Sequence, residues 1–336
     1  MSSAANNLNY IAMMYNRCFC YIVTPLGIVG HLLNIYVFTR PSLVSNPCSR
    51  YFLAAAIVGI MNTCYTVPIR MIQTGYVNAD PGAYSIVFCK IGWLFLYALR
   101  ASACWSMVLV CADRYLCSAA STTMRAMSSV RVANRAIPLT ILIIFIAYIH
   151  VPIFFKIDFV SATQTSTCNS RGPAGAYRTI LYYFDLIVYG LSPSFFMLLF
   201  GLLTLRNVQQ SKRLIVMPVA NQTNRKTNNQ MLRMLIVQVL VYCVTGLVFS
   251  ATIIYTSMNP PTNSFQVGQY NMVYAVVGMG SNIGPCLSFY LFTLSSALFR
   301  KELKNLFCRG NRIHNQTQQH IMQASNTARA PTRNKT

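Results

Sequence analysis

Apolar residues in this chain gather into long runs separated by short polar and basic stretches, and seven of those runs reach the length of a bilayer-crossing helix. About 20 apolar residues cover the hydrocarbon thickness at the helical rise. That criterion places spans at Phe19–Thr39, Tyr51–Gln73, Cys89–Cys111, Ile137–Phe155, Ile180–Leu205, Met234–Thr256 and Tyr270–Leu294. An odd number of crossings puts the two termini on opposite sides. The first 18 residues lack the basic-then-apolar order and the cleavage pattern of a signal peptide, so they read as a short exposed tail. After the last run, Phe299, Leu303, Leu306 and Phe307 recur at helical spacing, with Arg300, Lys301 and Lys304 available for the other face. This predicts an interfacial amphipathic helix. The stretch beyond Cys308 is polar and rich in Asn, Gln and Thr, and is expected to be disordered. The organisation expected is therefore a tail at 1–18, a seven-helix membrane domain at 19–294, an amphipathic helix at 295–308 and a polar tail at 309–336. The fold class is an all-α membrane protein, and no repeat of 20 to 50 residues is visible.

Composition agrees with the pattern. Of 336 residues, 54% are hydrophobic and 10% charged, a balance that a soluble domain of this size seldom shows. The net charge of +22 would suit a nucleic-acid partner until its placement is read. Twenty of the 27 Lys and Arg fall in 40–50, 112–136, 206–233 and 295–336, all on one side of the topology. Arg17, Lys156, Arg171 and Arg178 fall on the other. The positive-inside rule then puts the N-terminus outside and the tail in the cytoplasm, so the charge serves a lipid bilayer and no nucleic acid is expected. Acceptor sequons at Asn221, Asn315 and Asn334 lie on the cytoplasmic side and are expected to stay unmodified. Most of the 12 cysteines sit in or beside apolar runs, where buried thiols are the default. Cys89 and Cys168 fall instead on the outer side, where a bridge is chemically allowed.

The triplet Asp113-Arg114-Tyr115 closes the run that opens at Cys89. From Cys89 to Arg114 is 25 residues, roughly 37 Å at the helical rise, so one helix would put them on opposite membrane faces. An acid at the inner mouth can hold the neighbouring guanidinium at rest and release it, and arginine suits that role because it stays charged and offers several donors. A boundary charge cluster stabilising a helix end is the plainer account. Further landmarks are Gly30-His31-Leu32-Leu33-Asn34, Pro68, Pro152, Pro193 and the stretch from Phe289 through Ser296 into Phe299–Cys308. Together these residues resemble the rhodopsin-like G-protein-coupled receptors, and the wording after the last span is especially similar to invertebrate orphan and FMRFamide-type peptide receptors. The resemblance implies a Cys89–Cys168 disulfide, an Asp113-Arg114-Tyr115 switch that engages a heterotrimeric G protein, an eighth helix, lipidation of Cys308 and a plasma-membrane location. It implies neither catalysis nor a cofactor or metal. The departures are also specific: span 2 has no acid, Trp93 and Trp105 are the only tryptophans, and no proline lies between Met234 and Met258, although Cys243 is kept. Ser288-Phe289-Tyr290-Leu291-Phe292 stands where the family has Asn-Pro-x-x-Tyr.

Charges inside a membrane are expensive and mark sites. Arg100 precedes Arg114 by 14 residues, nearly four turns, so it returns to within about 40° of the same direction and roughly 21 Å higher. It should face the bundle interior at the floor of an outward cavity. Arg70 lies near the outer end of span 2, and Asp185 lies in the outer half of span 5. With Tyr97 they form a candidate site for a peptide or other small polar ligand. An Arg100–Asp185 ion pair that only holds the bundle together is the structural alternative, and Arg70 is also placed to snorkel. Leu96 occupies the position of the family's amine-binding acid, and no lysine in the last span could bind retinal. A transporter, suggested by the buried charges and by Gly278, Gly280 and Gly284, is the competing class, but an odd span count without halves disfavours it.

Overall fold

The computed structural model describes residues 3–77, 79–160, 165–170, 176–214, 222–295, 299–300 and 303–304. Among the described residues, six helices are long and apolar enough to cross a membrane, and a bent pair counted as one span makes a seventh. They are α1 (Ser3–Phe38), α2 (Pro47–Gly75), α3 (Phe88–Ser118), α4 (Val130–Phe154), α5 (Tyr177–Gln210), α6 (Gln222–Met258) and α7 (Ser264–Cys286 followed by Ser288–Leu294). In hydrocarbon every backbone group must be satisfied internally, which is why the spans are helical and their starts are capped. Asn46 accepts from Cys48 N ahead of Pro47, Ser129 from Val132 N, and Asn263 from Gln266 N.

α3 is the most enclosed span and packs against α2, α4 and α5, while α1 packs against α2 and α7 and α6 against α5 and α7. Lipid-facing positions of α4 such as Leu139, Leu142, Ile143 and Ile146 are exposed. One buried cluster centres on Phe38, Phe52, Phe292 and Phe299 and continues through Met107 and Cys111. A second joins Cys89, Ala98, Tyr148, Val151, Phe155, Cys168 and Leu181 at the opposite end of α3. Two antiparallel strands, β1 (Phe155–Val160) and β2 (Thr165–Ser170), lie beyond α4, with Ile157 paired to Cys168. Cys168 is disulfide-bonded to Cys89 with a Cα–Cα distance of 5.6 Å, fastening this hairpin to the head of α3. That end is called the hairpin end below.

Two features go beyond the spans read in the sequence. Residues 3–18 are not a separate tail but the first turns of α1. No Gly or Pro interrupts them, and Ala5 and Ala12 are small enough to let this segment lie close against α7. Asn271 Nδ2 donates to Asn9 Oδ1 at 3.0 Å, Asn16 Nδ2 to Thr74 Oγ1 at 2.9 Å, and Arg17 Nε to the Gly75 carbonyl. These polar bonds fix to α2 and α7 a segment that hydropathy alone left outside. The second feature is α7, which bends by 53° between Cys286 and Ser288. Side chains cover carbonyls near the break: Ser281 Oγ and Asn282 Nδ2 donate to Gly278 O, and Gln238 Nε2 of α6 donates to Gly284 O at 2.9 Å. Past α7, residues 299–300 and 303–304 are helical, and Phe299 packs edge-on against Phe38 in its cluster. Cys308, like the three sequons and the polar tail, lies outside the described residues.

Candidate ligand cavity and switch residues

A cavity of about 510 Å³ opens within the hairpin-end half of the bundle. Asn9 and Asn16 of α1, Thr66 and Arg70 of α2, Arg100 of α3, Tyr182 of α5 and Asn271 and Tyr274 of α7 are among its walls. Its volume falls in the range that holds small ligands. The sequence led to Arg70 and Arg100 there, but it missed the α1 wall and the α7 amides. Asn9 and Asn16 belonged to the segment read as a tail, so no signal in the hydropathy pattern brought them inward.

Arg100 points into the bundle as helical phase required, and it does so with a partner. Its Nη2 donates to Asp185 Oδ2 at 2.6 Å, and the Tyr148 hydroxyl donates to the other carboxylate oxygen at 2.8 Å. The guanidinium also lies 4.0 Å from the Tyr189 ring centroid and 4.9 Å from that of Phe249, both within cation–π range. Asp185 sits where α5 passes from its α-helical start, Ala176–Asp185, to a wider π-helical turn, Leu186–Leu191. Trp105 Nε1 bonds the Val188 carbonyl in that turn at 2.9 Å. Tyr97 is not among the cavity-lining residues. It stacks on Tyr148 with centroids 5.7 Å apart and so supports the group that supports Asp185.

At the other end of α3, Asp113 and Arg114 are buried and paired at 3.0 Å. Ser128 Oγ donates to the free oxygen of Asp113 at 2.7 Å, and Arg114 Nη2 also reaches Asn46 Oδ1 at 3.3 Å. Tyr115 stacks against Phe200 of α5. The same aspartate thus ties α3 to the segment before α4, and the arginine ties α3 to the cap of α2. Between the two ends lies a polar interior of His31, Asn34, Asn62 and Gln238, with no acid among the described residues. His31 packs flat into the space left by Gly59, where any Cβ would collide with the imidazole.

Residues 30–287 match the family described as 7 transmembrane receptor (rhodopsin family), and the chain belongs to it. One relative, lysophosphatidic acid receptor 6 of Gallus gallus, is 22% identical over 244 residues, covering 72% of this chain and 76% of that protein. The family is one of membrane receptors, which supports the multi-pass receptor reading over the transporter. The likeness to FMRFamide-type receptors finds no counterpart in that relative, which is named for a lipid ligand.

Proposed function

We propose that the chain carries an extracellular signal from the hairpin-end cavity to a heterotrimeric G protein at the Asp113–Arg114 end. One observation carries this reading: α3 joins a wall of the cavity at Arg100 to a buried ion pair at Arg114, on one uninterrupted helix. A change in how α3 sits against α5 at Asp185 is thereby coupled to how it sits against α2 and α4 at the far end. The hairpin end faces outside the cell in this reading, consistent with its disulfide. The basic loops and tail face the cytoplasm of the plasma membrane, where Asp113, Arg114 and Tyr115 border the opening that receives the G protein.

The ligand reading from the sequence is a peptide, and the amide-rich cavity wall of Asn9, Asn16, Gln73 and Asn271 suits backbone hydrogen bonding. A lysophospholipid is the second reading, favoured by the avian relative's name. Expression with a panel of G-protein reporters, challenged with a neuropeptide library and with lysophosphatidic acid, separates the two. A response to peptides alone establishes the first, a response to the lipid alone the second, and silence of every reporter, both basal and ligand-evoked, overturns the proposed G-protein coupling.

A further inference from the structure

The whole chain contains five acidic residues against 27 Lys and Arg, so the acids that could neutralise the arginines lining the cavity can be accounted for one by one. Asp185 is taken by Arg100 and Tyr148, and Asp113 by Arg114 and Ser128. Asp158 pairs with Lys156 in the hairpin. Asp80 accepts from Gln73 Nε2 and caps its own turn through Gly82 N. Glu302 follows α7 in the sequence and lies outside the described residues. Arg70 remains. It lines the cavity, one face of α2 inside the bundle, and among the described residues it makes neither an ion pair nor a side-chain hydrogen bond.

We propose that Arg70 is the anion-recognising residue of the cavity and that the ligand brings one carboxylate or phosphate group to it. The proposal rests on the cavity being the receptor's ligand site. An arginine in a membrane-embedded site needs an opposite charge or water, and a carboxylate or phosphate matches its forked donors in a way that a neutral group does not. Arg100 is thereby separated from Arg70 in role. Its charge is already neutralised by Asp185, so it shapes the floor of the cavity while Arg70 supplies the net positive charge. Apart from Arg100, the other polar lining groups are neutral amides, threonine hydroxyls and phenols, which fit uncharged polar parts of the ligand.

The test uses the full chain in neutral phosphatidylcholine nanodiscs and two matched pairs of probes. One pair is oleoyl lysophosphatidic acid and monoolein, which lacks the phosphate; the other is a pooled tetrapeptide library made as C-terminal acids and as amides. The anionic member of one pair is expected to bind at least about tenfold more tightly than its neutral counterpart, the scale of a charge-assisted hydrogen bond. Arg70→Gln should abolish that preference, and Arg70→Lys, which keeps the charge but not the fork, should retain part of it. Preference within the lipid pair assigns a phosphate, and preference within the peptide pair assigns a carboxylate. The proposal is overturned if neither pair shows a preference, or if the preference survives Arg70→Gln undiminished. Coupling through Arg114 is read separately, so Arg70 can fail here while the receptor assignment stands.

Discussion

Asp185 accepts two hydrogen bonds from two different helices, and this decides what a substitution at Arg100 would do. Removing Arg100 leaves a buried carboxylate held only by Tyr148, and loss of one member of a buried pair costs about 3–5 kcal/mol. Arg100→Leu should therefore lower thermal stability and cell-surface yield sharply. Arg100→Leu combined with Asp185→Leu and Tyr148→Phe removes the whole polar group and should recover most of that loss, measured by thermal unfolding in detergent. If the triple variant is no better than Arg100→Leu, the pair is not the main structural role of that arginine. The inward direction of Arg100 was legible from its 14-residue spacing to Arg114, as was Asp185 as a possible partner. Tyr148 was not, because contacts between helices leave no trace in the phase of either one.

Helices in this bundle are joined by small residues and single polar bonds, and two of these set expected outcomes. Gln238 Nε2 of α6 reaches Gly284 O beside the bend of α7, so separating these helices at that level breaks the bond. A hydrogen bond within a membrane bundle contributes on average about 0.6 kcal/mol. Gln238→Leu should then raise basal G-protein signalling about threefold if separation of α6 from α7 opens the G-protein site; an unchanged or lower basal signal at equal surface expression argues against that motion. Gly268 lies against the start of α1, where a Cβ would meet Ala5 O at 3.2 Å. Gly268→Val should push the two helices apart at the cavity wall and cost about 1–3 kcal/mol by overpacking. A melting temperature equal to wild type would show that α1 does not hold this wall. The spans themselves were readable because hydrocarbon demands long apolar helices, but the α7 bend and the early start of α1 depend on Asn and Ser side chains that hydropathy scores only as polar.

Across the whole molecule, the cavity near Arg70 and the buried Asp113–Arg114 pair are two ends of one bundle whose centre holds amides and an imidazole in place of acids. The charge pattern, the 25-residue spacing from Cys89 to Arg114 and the Asp-Arg-Tyr triplet made the architecture legible, since each follows from which membrane face a residue must occupy. Ligand chemistry was less so: it depends on which of the few acids each arginine meets, and only three-dimensional pairing leaves Arg70 over. The central claim is that Arg114 couples this bundle to a G protein. The most direct measurement compares wild type with Arg114→Ala, at matched surface expression, for ligand-evoked nucleotide exchange on purified heterotrimeric G protein, with ligand binding measured on the same samples. The account predicts exchange above the receptor-free rate for wild type, and loss of that exchange with binding retained in Arg114→Ala. Undiminished exchange in Arg114→Ala would contradict it and leave the triplet a purely structural cluster.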